Sequence, residues 1–390
     1  MTRRCLVLVL VAGGAAYQGA CSRETLVGVG VPPLGSGGID GGSSGGLRGG
    51  GSGGELAPGS GGTFGSGSGG SAGTLCSSSV SLAPGVLNDC GHVHAAAFSP
   101  DGALLATAGA DILFPNLRVW QVRDGKLLYE VPQATGIMYD VAFSPDGKLL
   151  ALVGVSPVVS PAASGAAIFT AATGALLTTL PTQSGPYVTA LAFSHDGTRL
   201  VTGGALSIID VWKVADWSEL LAIPTVGNET IYAVDFSPDD SRLVTSGSAR
   251  TNRIRKTSDG SVLAEIPDVY PEENRATYSP NGQLILSIGG AGQLQLLDPT
   301  ATTLQVVTFM PTSNAVYPIG HAAWLDDSRF VADDWGGTVE EWAKDPQQPQ
   351  GPFVLTNVWN MPSQAWGFAV APDGRSFVVT GDFGFEVLAP

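Results

Sequence analysis

The sequence predicts an all-β protein: a seven-bladed β-propeller whose ring is closed by a strand from the N-terminal side. Three observations predict it: a Ser-Pro-Asp-Gly turn motif that recurs seven times, a spacing of 42 to 50 residues between copies, and a last copy that is unfinished. Strand-rich repeats of this length are typical of propeller blades. The Asp or Asn positions of the motif are Asp101, Asp146, Asp196, Asp239, Asn281, Asp326 and Asp373.

Each motif has the composition of a tight hairpin turn between two apolar stretches. In the first copy, Phe98 precedes the turn and Leu104 follows it. Proline presets the negative φ of the first turn position, Asp hydrogen-bonds its own backbone, and Gly accepts the positive φ that reverses the chain. The copy at Asp326 lacks the proline and the copy at Asp373 lacks the aromatic residue, so these two are the weakest matches.

Three further strands are predicted in each unit. The second is apolar and then small, as in Leu104 to Gly109, and the third is clearest at Leu117 to Trp120. An outer strand that ends in proline follows, as in Leu127 to Pro132. Four strands in each unit of this length make a propeller blade.

The seventh unit lacks its outer strand, because the sequence given ends soon after the strand Phe385 to Leu388. The pattern Val80 to Pro84 matches the outer strands of the other units. We therefore predict that residues 78–84 complete the last blade, which removes the open sheet edge that an unclosed ring would leave.

The chain resembles the WD-repeat propeller family, in particular its degenerate bacterial members, over about residues 78–390. The resemblance rests on the turn motif and the period. The family's tetrad of a Gly-His, a Ser or Thr, an Asp and a Trp is approached only in the first unit, by Gly91-His92, Thr107, Asp111 and Trp120. The resemblance implies that the rim where outer-to-inner loops meet the channel is the contact surface.

The N-terminal part predicts export and tethering. Residues 1–20 have the layout of a signal peptide, and Gly19-Ala20-Cys21 resembles the end of a bacterial lipobox, which would make Cys21 the lipidated residue. The alternative is ordinary cleavage after Ala20. Residues 21–75 form a predicted disordered tether with 22 glycines between positions 28 and 75, and residues 76–390 form the propeller. The Gly-rich part reaches roughly 35 to 40 Å.

Two cysteines, Cys76 and Cys90, are candidates for a disulfide in an oxidising compartment. A strand over residues 78–83 would place them roughly 20 Å apart, too far to pair. Both outcomes therefore stay open.

The net charge of −15 argues against nucleic acid as a partner, because phosphates require a basic face. Aromatic side chains instead recur in the first strands and in the loops before them, where they would form one rim suited to binding. The alternative is packing between blades. The predicted rim residues are Tyr139, Tyr187, Tyr232, Tyr270, Tyr317, Trp335, Trp359 and Trp366.

The sequence contains no recurring catalytic set, and we predict no cofactor. His92 and His94 form a His-x-His pair that is a weak candidate for metal binding, since no nearby ligand completes the set. The acidic pair Asp239-Asp240 falls in a turn, where Asp is a turn former, and Asp333-Asp334 ends a second strand. The second pair is the better candidate for a functional role.

These observations predict a non-enzymatic interaction module, tethered to the bacterial cell envelope, that binds another envelope or extracellular protein or a ligand. The alternative is an exported propeller hydrolase, similar to a lactonase, with a metal in the central channel. A third option is a structural component of an assembly. We expect an outer-membrane or cell-surface lipoprotein, otherwise a periplasmic protein, with membrane contact only through the lipid anchor.

Overall fold

Seven four-stranded antiparallel sheets form the blades of a β-propeller in a computed structural model of the chain, which confirms the predicted fold class. All described residues belong to one unit that includes Thr74–Pro390. The predicted signal peptide and tether, with Cys21, Cys76 and Cys90, lie outside the described residues. The structure describes residues 81–83, 87–88, 91–109, 116–132, 134, 136–155, 165–183, 187–205, 208–225, 229–249, 251–267, 275–289, 293–300, 307–309, 319–334, 336–345, 347 and 352–389.

Each of the first six blades is a run of four consecutive strands, from the channel outwards. Blades 1 to 3 contain β2 Val93–Phe98, β3 Leu104–Gly109, β4 Leu117–Gln121, β5 Leu127–Val131, β6 Ile137–Phe143, β7 Leu149–Val155, β8 Gly165–Thr170, β9 Leu176–Pro181, β10 Val188–Phe193, β11 Arg199–Gly204, β12 Ile208–Lys213 and β13 Glu219–Pro224. Blades 4 to 6 contain β14 Ile231–Phe236, β15 Arg242–Gly247, β16 Thr251–Lys256, β17 Val262–Pro267, β18 Arg275–Tyr278, β19 Ile285–Gly289, β20 Gln293–Leu297, β21 Val307–Phe309, β22 Ile319–Asp326, β23 Arg329–Asp334, β24 Thr338–Lys344 and β25 Phe353–Asn360.

Blade 7 joins the two ends of the described chain and closes the ring. Its sheet has the order β1-β28-β27-β26, where β1 is Leu87–Asn88 and the others are β26 Ala365–Val370, β27 Phe377–Gly381 and β28 Gly384–Leu388. Within β1, Leu87 lies opposite Glu386. The predicted closure by an N-terminal strand is therefore confirmed.

The position of the closing strand differs from the prediction. Residues 81–83 are described and do not lie in a strand, and the described pairing with β28 is made by Leu87 and Asn88. β1 ends at Asn88 and β2 begins at Val93, so the residues that pair with β28 lie a few positions before the first strand of blade 1. Leu82 instead packs against the hydrophobic core between blades 7 and 1, which contains Trp120 and Phe385.

Hydrophobic side chains fill the spaces between neighbouring blades. Phe143 and Phe169 belong to a cluster shared by blades 1 and 2, and Phe330 packs against the rings of Trp324 and Phe353 in a cluster shared by blades 5 and 6. Fully burying a side chain of this size contributes roughly 2 to 3 kcal/mol. None of the described residues forms a helix long and apolar enough to cross a membrane.

The Ser-Pro-Asp-Gly turns are held by their own side chains. In blade 1 the hydroxyl of Ser99 donates to Asp101 at 2.6 Å and accepts the backbone N–H of Leu104 at 2.8 Å. Gly102 has φ of +68°, the left-handed region that favours glycine. The serine hydroxyl makes the equivalent bond in blades 2 to 5, whereas blades 6 and 7 have Leu325 and Ala371 in its place. The predicted turn chemistry therefore folds the first five hairpins. We call the end of the ring that carries these turns the turn face.

Two departures from the motif complement each other on the turn face. Blade 3 has His195 in place of proline, and blade 4 has Asp240 in place of glycine. The carboxylate of Asp240 accepts the backbone N–H groups of His195 and Asp196, each at 2.8 Å. A proline at position 195 could not donate the first of these two hydrogen bonds. Asp327 accepts the N–H of Asn281 in the same way, so these acidic pairs connect neighbouring turns.

Candidate functional site at the mouth of the channel

Among the described residues, a one-residue register shift interrupts the first strand of six blades near its start. The shift leaves one residue without a cross-strand partner, and such bulges re-aim a side chain. We call these positions the bulge layer and this end of the ring the mouth. The bulge layer consists of His94, Tyr139, Thr189, Tyr232, Gly320 and Trp366.

In five of the six bulged blades, a glycine at or next to the end of the second strand permits this backbone geometry; the second strand of blade 6 ends in Asp334 instead. A β-carbon on Gly204 would lie 1.9 Å from the carbonyl oxygen of Tyr187, and one on Gly247 would lie 2.0 Å from that of Thr230. No other residue leaves room for so close an approach of two backbones. The predicted pattern of apolar residues followed by a small one therefore marks the bulge.

Four side chains of the bulge layer line one cavity of about 530 Å³ in the central channel, which first strands of all seven blades surround. The rings of His94 and Trp366 lie 5.1 Å apart, across the boundary of blades 1 and 7. Tyr139 and Tyr232 line the same cavity from blades 2 and 4. The mouth thus combines aromatic surface with polar groups in one concave space, as binding sites do.

Asp382, in the turn between β27 and β28, contacts side chains from both sides of the boundary of blades 1 and 7. Its Oδ1 accepts the indole N–H of Trp366 at 2.8 Å and lies 2.7 Å from Nδ1 of His92. Burial alone would raise the pKa of Asp382, but the hydrogen bonds from His92 and Trp366 outweigh it and hold the pKa below its usual value. The indole is therefore fixed by a charged acceptor.

His94 is neutral at physiological pH. Burial, and next the charge of His92, lower its pKa from 6.5 to about 4. A neutral imidazole beside Trp366 adds aromatic surface without adding charge. The mouth around these two rings is therefore suited to flat, apolar groups.

The positions directly after the six bulges and the equivalent position of blade 5, three residues before the anchor aromatic, form a second ring of residues, which we call the inner layer. All seven line the same cavity, and most are small. They are Ala95, Asp140, Ala190, Ala233, Arg275, His321 and Gly367.

Asp140 connects blades 2 and 3 from inside the channel. Its Oδ1 accepts the N–H of Val141 at 2.8 Å, and its Oδ2 accepts the N–H of Leu191 at 3.1 Å. Burial raises the pKa of this carboxyl group to about 6, although those hydrogen bonds and the charge of Arg275 oppose the rise. Asp235 plays a similar part between blades 4 and 5, where its Oδ2 accepts from Tyr278 N–H at 2.9 Å.

The predicted rim residues fall into three groups. Tyr139, Tyr232 and Trp366 line the channel, together with the predicted metal candidate His94. Trp359 packs on Phe377 between blades 6 and 7, with ring centroids 5.5 Å apart, and Tyr187 is not among the residues that line the cavity. The remaining rim residues, Tyr270, Tyr317 and Trp335, lie outside the described residues. A binding role for all of these stays a prediction.

The candidates for metal binding have structural partners. His92 is paired with Asp382, and Asp333 accepts the backbone N–H of His321. Asp334 accepts the N–H groups of Gly336 and Thr338. In the part of the chain that the structure describes, no three His, Cys, Asp or Glu residues are grouped so that they could hold a metal ion.

Sequence reasoning missed Asp140, Arg275 and Asp382. For the first two, a usable signal was present. Asp140 lies three residues before the anchor Phe143, and Arg275 lies three residues before the anchor Tyr278. Comparing the repeats at that offset would have placed both in the channel.

The buried hydrogen bond from a third-strand side chain to a second-strand Thr, which belongs to the family's tetrad, occurs in more blades than predicted. Trp120 Nε1 donates to Thr107 at 3.0 Å in blade 1, and Trp212 Nε1 donates to Thr202 at 3.1 Å in blade 3. In blade 4 an arginine takes the place of the tryptophan: Arg255 Nε lies 3.3 Å from the hydroxyl of Thr245.

The seven blades around a lined channel define a β-propeller built from sequence repeats. The family model "WD domain, G-beta repeat" matches residues 85–111, 174–213 and 222–262, which include the closing strand of blade 7 and parts of blades 1 to 4. Together with the seven blades, these matches support a WD-repeat β-propeller. No curated protein matches the chain with significant similarity.

Proposed function

We propose that the chain is a non-enzymatic interaction module that binds another protein through the mouth of its channel. The observation that carries the proposal is the bulge layer: one backbone feature, repeated in six blades, directs different side chains into one cavity. WD-repeat propellers generally serve protein–protein interaction. Tyr and Trp are enriched where binding energy concentrates, and two such residues here, Tyr139 and Trp366, remain partly exposed.

We further propose that the partner is an envelope or extracellular protein and that a lipid on Cys21 tethers the chain. The signal-like residues 1–20, the Gly-Ala-Cys motif and the Gly-rich segment support this proposal. A tether of roughly 35 to 40 Å would let the mouth reach a partner beside a membrane.

Cross-linking of the full chain in intact cells, followed by mass spectrometry, tests the proposal. The double variant Tyr139→Ala, Trp366→Ala is expected to capture at least 10-fold less partner, because it removes the aromatic surface of the mouth. The matched control is Leu177→Ala, which removes an apolar side chain that is 53% exposed on the outer strand of blade 2. Equal capture by all three proteins would contradict binding through the mouth.

The same cells test the anchor. Cys21→Ser is expected to move the chain from the membrane fraction to the soluble fraction, because the only proposed membrane contact is the lipid on that residue. An unchanged distribution would contradict the anchor and leave the proposed binding surface intact.

A further inference from the structure

The inner layer contains space next to charged groups. Four of its seven residues are Ala or Gly, so the cavity continues past the aromatic mouth to Asp140, Arg275 and His321. These three side chains come from blades 2, 5 and 6 at one equivalent position of the repeat. Any ligand group that passes the mouth therefore meets them first.

Two of the three charged or titratable residues have partners inside the protein. Both oxygens of Asp140 accept backbone N–H groups, and the Nδ1 atom of His321 lies 3.4 Å from a carboxylate oxygen of Asp333. Deeper in the channel, the carboxylate of Asp235 accepts a backbone N–H and the hydroxyl of Thr277. The acidic groups of the channel are therefore engaged in holding neighbouring strands together.

Arg275 differs from them. Within the described residues its guanidinium group makes no hydrogen bond and no ion pair, although the residue is partly buried and lines the cavity. A guanidinium group has five N–H donors and stays charged at all physiological pH values. Removing it from bulk water without an acceptor is unfavourable, so a ligand that supplies an acceptor gains affinity there.

We propose that the cavity binds a carboxylate group on Arg275, with the aromatic part of the same ligand against Tyr139 and Trp366. The proposal rests on the proposed function and names the chemistry that the mouth recognises. A planar carboxylate matches the guanidinium fork with two parallel hydrogen bonds. A cavity of about 530 Å³ has room for such a group together with a ring.

A pair of probes that differ only in charge tests this site on the full chain. Phenylacetate is expected to bind at least 10-fold more tightly than phenylacetamide, measured by isothermal titration calorimetry. Arg275→Gln is expected to remove that preference. The matched control, Lys148→Gln, removes one positive charge from the turn face, where Lys148 is 3.0 Å from Asp146, and is expected to keep the preference.

A second variant covers the case in which Arg275→Gln does not fold. Arg275→Lys keeps the charge but loses the fork, so the affinity for phenylacetate is expected to fall several-fold while that for phenylacetamide is unchanged. The proposal is overturned if neither probe binds, if acid and amide bind equally to the unaltered chain, or if the preference survives the loss of Arg275.

Competition separates the two sources of a carboxylate. If excess phenylacetate releases the partner captured in cells, the carboxylate belongs to a protein, as a C-terminus or an acidic side chain. If phenylacetate binds through Arg275 and leaves capture unchanged, the site takes a free organic acid. Both results support the carboxylate site. Partner capture through the mouth without any carboxylate preference would overturn this inference alone and leave the proposed function standing.

Discussion

The turn face and the mouth are opposite ends of the same first strands, but different features repeat from blade to blade at the two ends. At the turn face the residues themselves repeat, and their polar groups bond within a turn or to the next turn, as Ser99 and Asp240 do. In the bulge layer at the mouth only the backbone position repeats, and the side chain changes from His94 to Tyr139 to Trp366. Repeated residues therefore mark scaffold, whereas a repeated position with varied residues marks the candidate site.

The glycines at the end of the second strands test this distinction most strongly, because they are repeated residues at the mouth end. Gly204→Ala is expected to destabilise the fold by about 3 kcal/mol, since the added carbon would lie 1.9 Å from the carbonyl oxygen of Tyr187. Gly367→Ala is the matched control, because its added carbon would lie 3.2 Å from the nearest atom, the carbonyl oxygen of His94. We expect a loss below about 1 kcal/mol there.

Urea denaturation of both variants measures this difference. A similar loss of unfolding free energy in the two variants would show that the backbones at Gly204 can separate easily. The repeated glycine would then not be what maintains the bulge.

Asp240 tests the scaffold role of the turn face with a smaller expected effect. Asp240→Ala is expected to cost about 2 kcal/mol of unfolding free energy, because the N–H groups of His195 and Asp196 lose their acceptor and alanine must keep a φ of +57°. Asp240→Gly relieves the backbone strain and is expected to cost less.

Trp366→Ala is the comparison variant from the mouth. We expect it to lower stability by less than Asp240→Ala, because Trp366 remains partly exposed. The comparison is made by thermal unfolding. If the mouth variant proves the more destabilising of the two, Trp366 is a scaffold residue and the distinction between the two ends is lost.

The same distinction explains which features of the structure could be predicted from the sequence. The turns, the strand order and the closed ring could be predicted, because local turn chemistry and a fixed period determine them. The closing strand at Leu87–Asn88 could not be placed, since its position depends on pairing with β28, nearly 300 residues away in the chain. Tyr139 and Trp366 could be selected by their offset, but Trp359 shows that an aromatic residue near the rim can instead pack between blades.

The smallest expected effect is a difference in how two carboxylates, one from each region, make the stability depend on pH. The Ser144 hydroxyl, followed by the Lys148 N–H, lowers the pKa of Asp146 at the turn face from 3.8 to about 2. Its contribution to stability is therefore present above pH 4 and lost as the pH falls through about 2. For Asp140 in the channel, burial raises the pKa to about 6, so its contribution is present below pH 4 and lost as the pH rises through about 6.

These opposite signs can be separated by urea denaturation between pH 2 and pH 7. Asp140→Asn is expected to remove a decline of about 1 kcal/mol between pH 4 and pH 6, a value reduced from the full shift because the side chain is partly exposed to the channel. Asp146→Asn is expected to flatten the profile only between pH 2 and pH 4. Each substitution also shifts the whole profile by its lost hydrogen bond, so the slopes are compared and not the offsets. If the two variants change the slope in the same pH window, the channel is as well solvated as the turn face. The inner layer would then offer a ligand the same environment as the outer surface.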